Sequence, residues 1–138
     1  MAYATEQDLI DRFGTDELLE IADRDDDQVI DTTVVAKALE DAGELIDGYV
    51  GKRYDLPLSS TPPRLVKLAA DIARYFLYKD SPTEAVEKAY DDAVAFLRDV
   101  AAGKAVLDIS GSEPAPAGDE ILTSGPDRVF TSDTLEGL

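Results

Sequence analysis

The chain has 138 residues, with thirty acidic side chains against thirteen basic ones and a net charge of −17. That length suits one domain with a modest core, and a hydrophobic content of 44% is globular composition rather than disorder. Cysteine and histidine are both absent, which removes disulfides, thiolate chemistry, and the commonest general base and transition-metal ligand.

The acidic balance argues against unspecific binding to nucleic acid or to an anionic membrane, since phosphate contacts need clustered Lys and Arg. No apolar run approaches the roughly 20 residues that span a bilayer. The first residues, "MAYATEQDLIDRFG", have neither a basic nor an apolar leader segment, so no secretory signal is expected there. The charge is unevenly spread. Residues 1–31 hold eleven acids and two bases, whereas residues 32–79 hold six and seven. An acidic host proteome explains this, and so does an intermolecular surface in the middle of the chain.

In chain order, Thr5 caps a short helix through Phe13, and Gly14 stops it. Thr15 opens a second, "DELLEIA", carrying Leu18, Leu19 and Ile21. The run "ADRDDDQVIDTTVV" follows, with five aspartates in nine positions. Asp31 or Thr32 caps a third helix to about Tyr49, where Val35, Ala38, Leu39, Ala42, Leu45, Ile46 and Tyr49 form one apolar stripe. Pro57, Pro62 and Pro63 make residues 52–63 a loop. Thr61 as cap with Pro62 in the first turn starts a fourth helix, with Leu65, Leu68, Ile72 and Phe76 inward. Ser81 and Glu84 spell a capping box, and the fifth helix buries Val86, Val94 and Leu97 before Gly103 ends it. The expected fold is all-α: a small bundle of four or five helices over residues 1–103, with an extended, irregular C-terminal arm over 104–138. That arm has short apolar islands and many turn residues, too little to build a core alone.

Three sets of residues are candidate sites. The acidic run resembles a calcium loop, with Asp23, Asp25, Asp27 and Asp31 at ligand positions. However, Gln28 stands where the turn needs glycine, and Val34 where a bidentate glutamate belongs. The competing reading is a solvated interhelical loop whose charge suits the following helix N-terminus. The second set is aromatic: Tyr49 and Tyr54 near the loop, with Tyr75 and Tyr78 sharing one face of the fourth helix. These are either an interface stripe or the edge of the core. The third set is basic. Lys52, Arg53, Arg64 and Lys67 can grip an acidic neighbour, including another copy's N-terminal third, or pair locally with Asp47, Asp55 and Asp71. Arg74 is expected to pair with Asp71, one turn before it.

The segments "DLIDRFGTDELLEIAD", "ALEDAGELIDGYVGKRYDLPL" and "PPRLVKLAADIARYFLY" resemble small proteins of Mu-like and related tailed phages and prophages. Those proteins are regarded as head–tail connector, adaptor or head-completion proteins. The resemblance covers about residues 3–103, and "RVFTSDTLEGL" is similar to the way such chains finish. It implies a non-enzymatic structural subunit without cofactor, assembled as a ring of about twelve copies in the virion neck. The portal protein would lie on one side and a tail-side neck or stopper protein on the other, with assembly in the host cytoplasm and no membrane. DNA would pass through without specific binding. The expected contact residues are Tyr49, Lys52, Arg53, Tyr54, Leu56, Leu58 and Arg64 around the central loop, and Ile121, Leu122, Arg128, Val129 and Phe130 in the arm. The alternative from a different class is a calcium-responsive acidic helical binding module. An enzyme using Asp47, Asp55 and Asp71 is weaker still, because their spacing follows no acid–base template.

Overall fold

Thr5 opens the first helix with a reciprocal cap. Its hydroxyl accepts the Asp8 N–H at 3.2 Å, while the Asp8 carboxylate accepts the Thr5 N–H at 2.9 Å. The computed structural model describes residues 2–78, 81–107 and 109, and among them the fold is five α-helices with no strand. Helix α1 is Glu6–Phe13 and α2 is Thr15–Ala22. Gly14 alone separates them, at φ 94°, a conformation that side-chain-bearing residues rarely adopt.

Helix α3, Thr32–Val50, buries Val35, Ala38, Leu39, Ala42, Ile46 and Val50 along the expected stripe. Asp31 occupies its cap position but makes no side-chain cap bond; instead its N–H donates to the Ala22 carbonyl at 2.9 Å and closes the acidic loop. Helix α4 is Pro63–Leu77. Its start lies one residue beyond the expected one, because Pro63 drives Pro62 into an extended conformation (φ −67°, ψ 151°) and takes the first helical position itself. Helix α5, Glu84–Ala102, is capped by Thr83, whose hydroxyl accepts the Val86 N–H at 3.2 Å. The expected Ser81–Glu84 box is therefore corrected. A helix starting from Ser81 would place β-branched Thr83 inside the first turn, where its χ1 freedom is restricted; as a cap, its hydroxyl satisfies an end donor. Gly103 ends α5 in the left-handed conformation at φ 84°, as expected.

Helix α4 lies at the centre, packed against α3, α5 and α1. Its three alanines, Ala69, Ala70 and Ala73, are all buried and let neighbouring backbones approach on more than one side. Of the expected core, Val35, Leu39, Ile46, Leu65, Leu68, Ile72, Val86, Val94 and Leu97 are buried. Phe76 is not: it is 37% exposed. Leu77, at 1%, takes the inward place in the last turn of α4. The Phe76 ring rests instead on the outer edge, 6.2 Å from Tyr75 and 6.0 Å from Tyr90.

Past Gly103 the chain turns back onto the bundle. Leu107 and Ile109 are buried, and the Tyr54 hydroxyl accepts the Leu107 N–H at 2.8 Å. The first residues after α5 thus belong to the core.

Candidate interaction surfaces

Three surfaces are built by these elements: the acidic loop at the α2–α3 junction, the loop after α3, and a groove between α4 and α5.

In the acidic loop, the Asp23 carboxylate accepts the Asp27 N–H at 3.1 Å and the Gln28 N–H at 2.8 Å, and Asp27 accepts the Val29 N–H at 3.0 Å. Slight burial pushes the Asp23 carboxyl up, but the N–H groups of Gln28 and Asp27 outweigh it and hold it below the ordinary carboxylate range. Asp26 and Gln28 adopt positive φ, 59° and 66°. Two of the suggested calcium ligands are thereby engaged in shaping the turn. Among the described residues, no group of three acidic side chains converges as a metal site. Arg24 also turns inward, donating to the Ile21 carbonyl at 2.8 Å and the Leu77 carbonyl at 3.1 Å. This leaves Asp25, Asp26 and Asp27 exposed, beside Val29 at 61% exposure.

The loop after α3 divides the expected contact residues. Lys52 and Leu56 are exposed, Leu56 at 41%, and Tyr49, Arg53 and Leu58 are half-buried. Tyr54 is a correction. It is buried in the core of its own chain, because its hydroxyl has an internal partner on the returning segment. Ile121, Leu122, Arg128, Val129 and Phe130 lie outside the described residues.

Tyr75 and Tyr78 do not form one stripe. Tyr75 stacks on Tyr90 of α5, with ring centroids 4.0 Å apart and planes at 14°. Tyr78 donates its hydroxyl to Glu17 at 3.0 Å. Glu17 also receives Arg74 through two bonds, at 2.7 and 3.1 Å, while the guanidinium covers the Phe13 ring at 4.2 Å. Arg74 therefore pairs with α2 rather than with Asp71. Asp71, buried at 7% exposure, is bound by Lys67 at 2.8 Å, the local pairing open to these bases. Asp47 accepts the Tyr3 hydroxyl and joins no carboxylate cluster with Asp71.

The α4–α5 groove encloses about 740 Å3. Arg64 and Lys67 from α4, Lys88 from α5 and Arg12 from α1 stand around it, over a floor that includes Leu68, Ala89 and Phe96. The Arg64 guanidinium lies 4.6 Å above the Phe96 ring. Sequence reasoning identified Arg64 and Lys67 but not Arg12 or Lys88, which lie 52 and 24 positions from Arg64 and meet it only through helix packing. The surviving signal was faint: cations on successive turns of a helix in a chain otherwise dominated by acids.

No helix among the described residues is long and apolar enough to cross a membrane. The family described as Bacteriophage Mu, Gp36 matches residues 3–123. The Mu-like prophage FluMu protein gp36 of Haemophilus influenzae is 40% identical over 111 residues, covering 80% of this chain and 79% of that protein. Gene product J of Escherichia phage Mu is 34% identical over 141 aligned positions, covering 100% of this chain and 99% of that protein. A match across most of the five-helix body and beyond it, with both relatives coming from Mu or a Mu-like prophage, establishes that the chain belongs to the Bacteriophage Mu Gp36 family.

Proposed function

We propose that the chain is a structural head–tail connector subunit of a Mu-like phage, forming a ring between portal and tail that continues the DNA conduit. The observation that carries this reading is the alignment with gene product J of phage Mu, 34% identical across 100% of this chain, which puts the chain among proteins of Mu-like phages. The physical character of the protein supports it. A net charge of −17 on 138 residues repels phosphate, and a wall that DNA must slide past benefits from repelling rather than holding it. The small helical body exposes Val29, Leu56 and Phe76 to solvent, large apolar groups that an assembly would cover. In this reading the portal protein and a tail-side neck protein are the partners, the mechanism is assembly, and no cofactor takes part.

The test is imaging of particles from a prophage carrying this gene, intact or deleted. Intact particles are expected to show the subunit as a ring at the neck, and deleted ones to accumulate filled heads and separate tails. Virions that join head to tail without the protein would refute the reading.

A further inference from the structure

The α4–α5 groove gathers Arg12, Arg64, Lys67 and Lys88, four of only thirteen bases in the chain. Lys67 and Lys88 already have carboxylate partners, Asp71 at 2.8 Å and Asp92 at 3.1 Å. Among the described residues, Arg12 and Arg64 pair with no carboxylate. Between the cations, Leu68 and Phe96 contribute apolar floor. The matching ligand is an anionic segment that also presents an apolar side chain.

One exposed segment of this same chain has that chemistry. Residues 23–31 project Asp25, Asp26 and Asp27 into solvent beside the exposed Val29, while their only base, Arg24, is tied inward to the Ile21 and Leu77 carbonyls. We infer that the α4–α5 groove of one copy receives the 23–31 loop of the next copy. The loop stands at the α2–α3 junction beside the C-terminal end of α4, whereas the groove runs between α4 and α5 past Arg64 and Lys88. Two different patches meet, so the contact is head-to-tail. Each added copy then offers a fresh loop and a fresh groove, the kind of interface that closes into a ring when its rotation divides a full turn. Copies carrying −17 each repel one another at long range, so a local match of opposite charge sets both the register and the direction of approach. The inference rests on the ring reading above and names the two faces that make the ring.

The experiment uses the full chain and two charge-reversed variants. The groove variant is Arg12→Glu with Lys88→Glu, and the loop variant is Asp25→Lys with Val29→Lys. All four positions are exposed, and neither Asp25 nor Val29 supplies a side chain that holds the turn. Circular dichroism is therefore expected to show both variants folded. By sedimentation velocity, the wild-type chain is expected to self-associate, and each variant alone to weaken that association at least about tenfold. An equimolar mixture is expected to recover it, because the reversed groove meets the reversed loop and the native groove meets the native loop. Either variant assembling like the wild type overturns the contact, as does a mixture that stays dissociated or a wild-type chain that stays monomeric. A short DNA duplex that binds the wild type and not the groove variant would assign the groove to nucleic acid and equally overturn it. Unaffected self-association in both variants would remove this contact and leave the connector reading standing; joined virions lacking the protein would remove the connector reading whatever the variants do.

Discussion

Tyr3 shows what a single side chain contributes here. Its ring is buried, and its hydroxyl donates to Asp47, which ties the segment before α1 to the last turns of α3. Burial first, and then the adjacent Asp47 carboxylate, push the phenol well above its ordinary value of 10.0. A folded-state value above the unfolded one means the stabilisation is fully present below pH 10 and is lost as pH rises from there towards the folded value. Tyr3→Phe is therefore expected to lose about 1.5–3 kcal/mol near neutral pH, the usual range for a hydrogen bond to a charged group. The gap from wild type is expected to narrow above pH 10. Urea unfolding at pH 7 and pH 10.5 checks this; an undiminished gap at the higher pH would show that titration of the phenol is not linked to folding, and no gap at pH 7 that the hydroxyl contributes nothing. Such long-range partners are invisible in a linear reading. Helical spacing shows who stands one turn away, which is why Asp71 was the expected partner of Arg74. The bond to Glu17, 57 positions distant, exists only because α1 and α3, which both pack on α4, also hold α2 within reach of the long Arg74 side chain.

At the scale of elements, the apolar stripes were legible because a helix buries one face and 3.6 residues per turn imposes a countable pattern. All five helices and most of their buried positions follow from it. The starts were less legible, because several residues can cap and only one does. Ser81 and Thr83 both precede the acidic first turn of α5, yet the hydroxyl that accepts a helix N–H belongs to Thr83. Thr83→Ala is expected to cost about 1 kcal/mol of unfolding free energy, against little change for Ser81→Ala. Chemical denaturation of both variants measures the contrast, and a larger loss for Ser81→Ala than for Thr83→Ala would return the cap to Ser81. Phe76 failed for a related reason. Periodicity locates the centre of a stripe well and its edges badly, and at the last turn of α4 the inward place goes to Leu77.

Across the whole molecule, the division of labour lies further along the chain than the end of α5. Composition alone put the boundary at Gly103, where helical periodicity stops, since a turn followed by a short apolar segment looks the same whether it leaves the body or returns to it. The structure brings it back. Leu107 and Ile109 each sit at 5% exposure, and Tyr54 is held by the Leu107 backbone. Burying two such side chains contributes roughly 1.5–3 kcal/mol apiece, and stranding the buried Tyr54 hydroxyl costs a further 1–3 or so. Those sums rival the whole stability of a small domain, about 5–15 kcal/mol. A chain ending after Gly103 is thus expected to unfold many degrees earlier than the full protein, or to fail to fold. A chain ending after Ile109 keeps those contacts and is expected to melt within a few degrees of it. If both truncations melted alike, the returning segment would contribute nothing to the body. The second truncation also separates stability from assembly. With the groove and the 23–31 loop intact, it is expected to self-associate as the full chain does, whereas a folded but strictly monomeric product would place the contacts between copies in residues 110–138 instead.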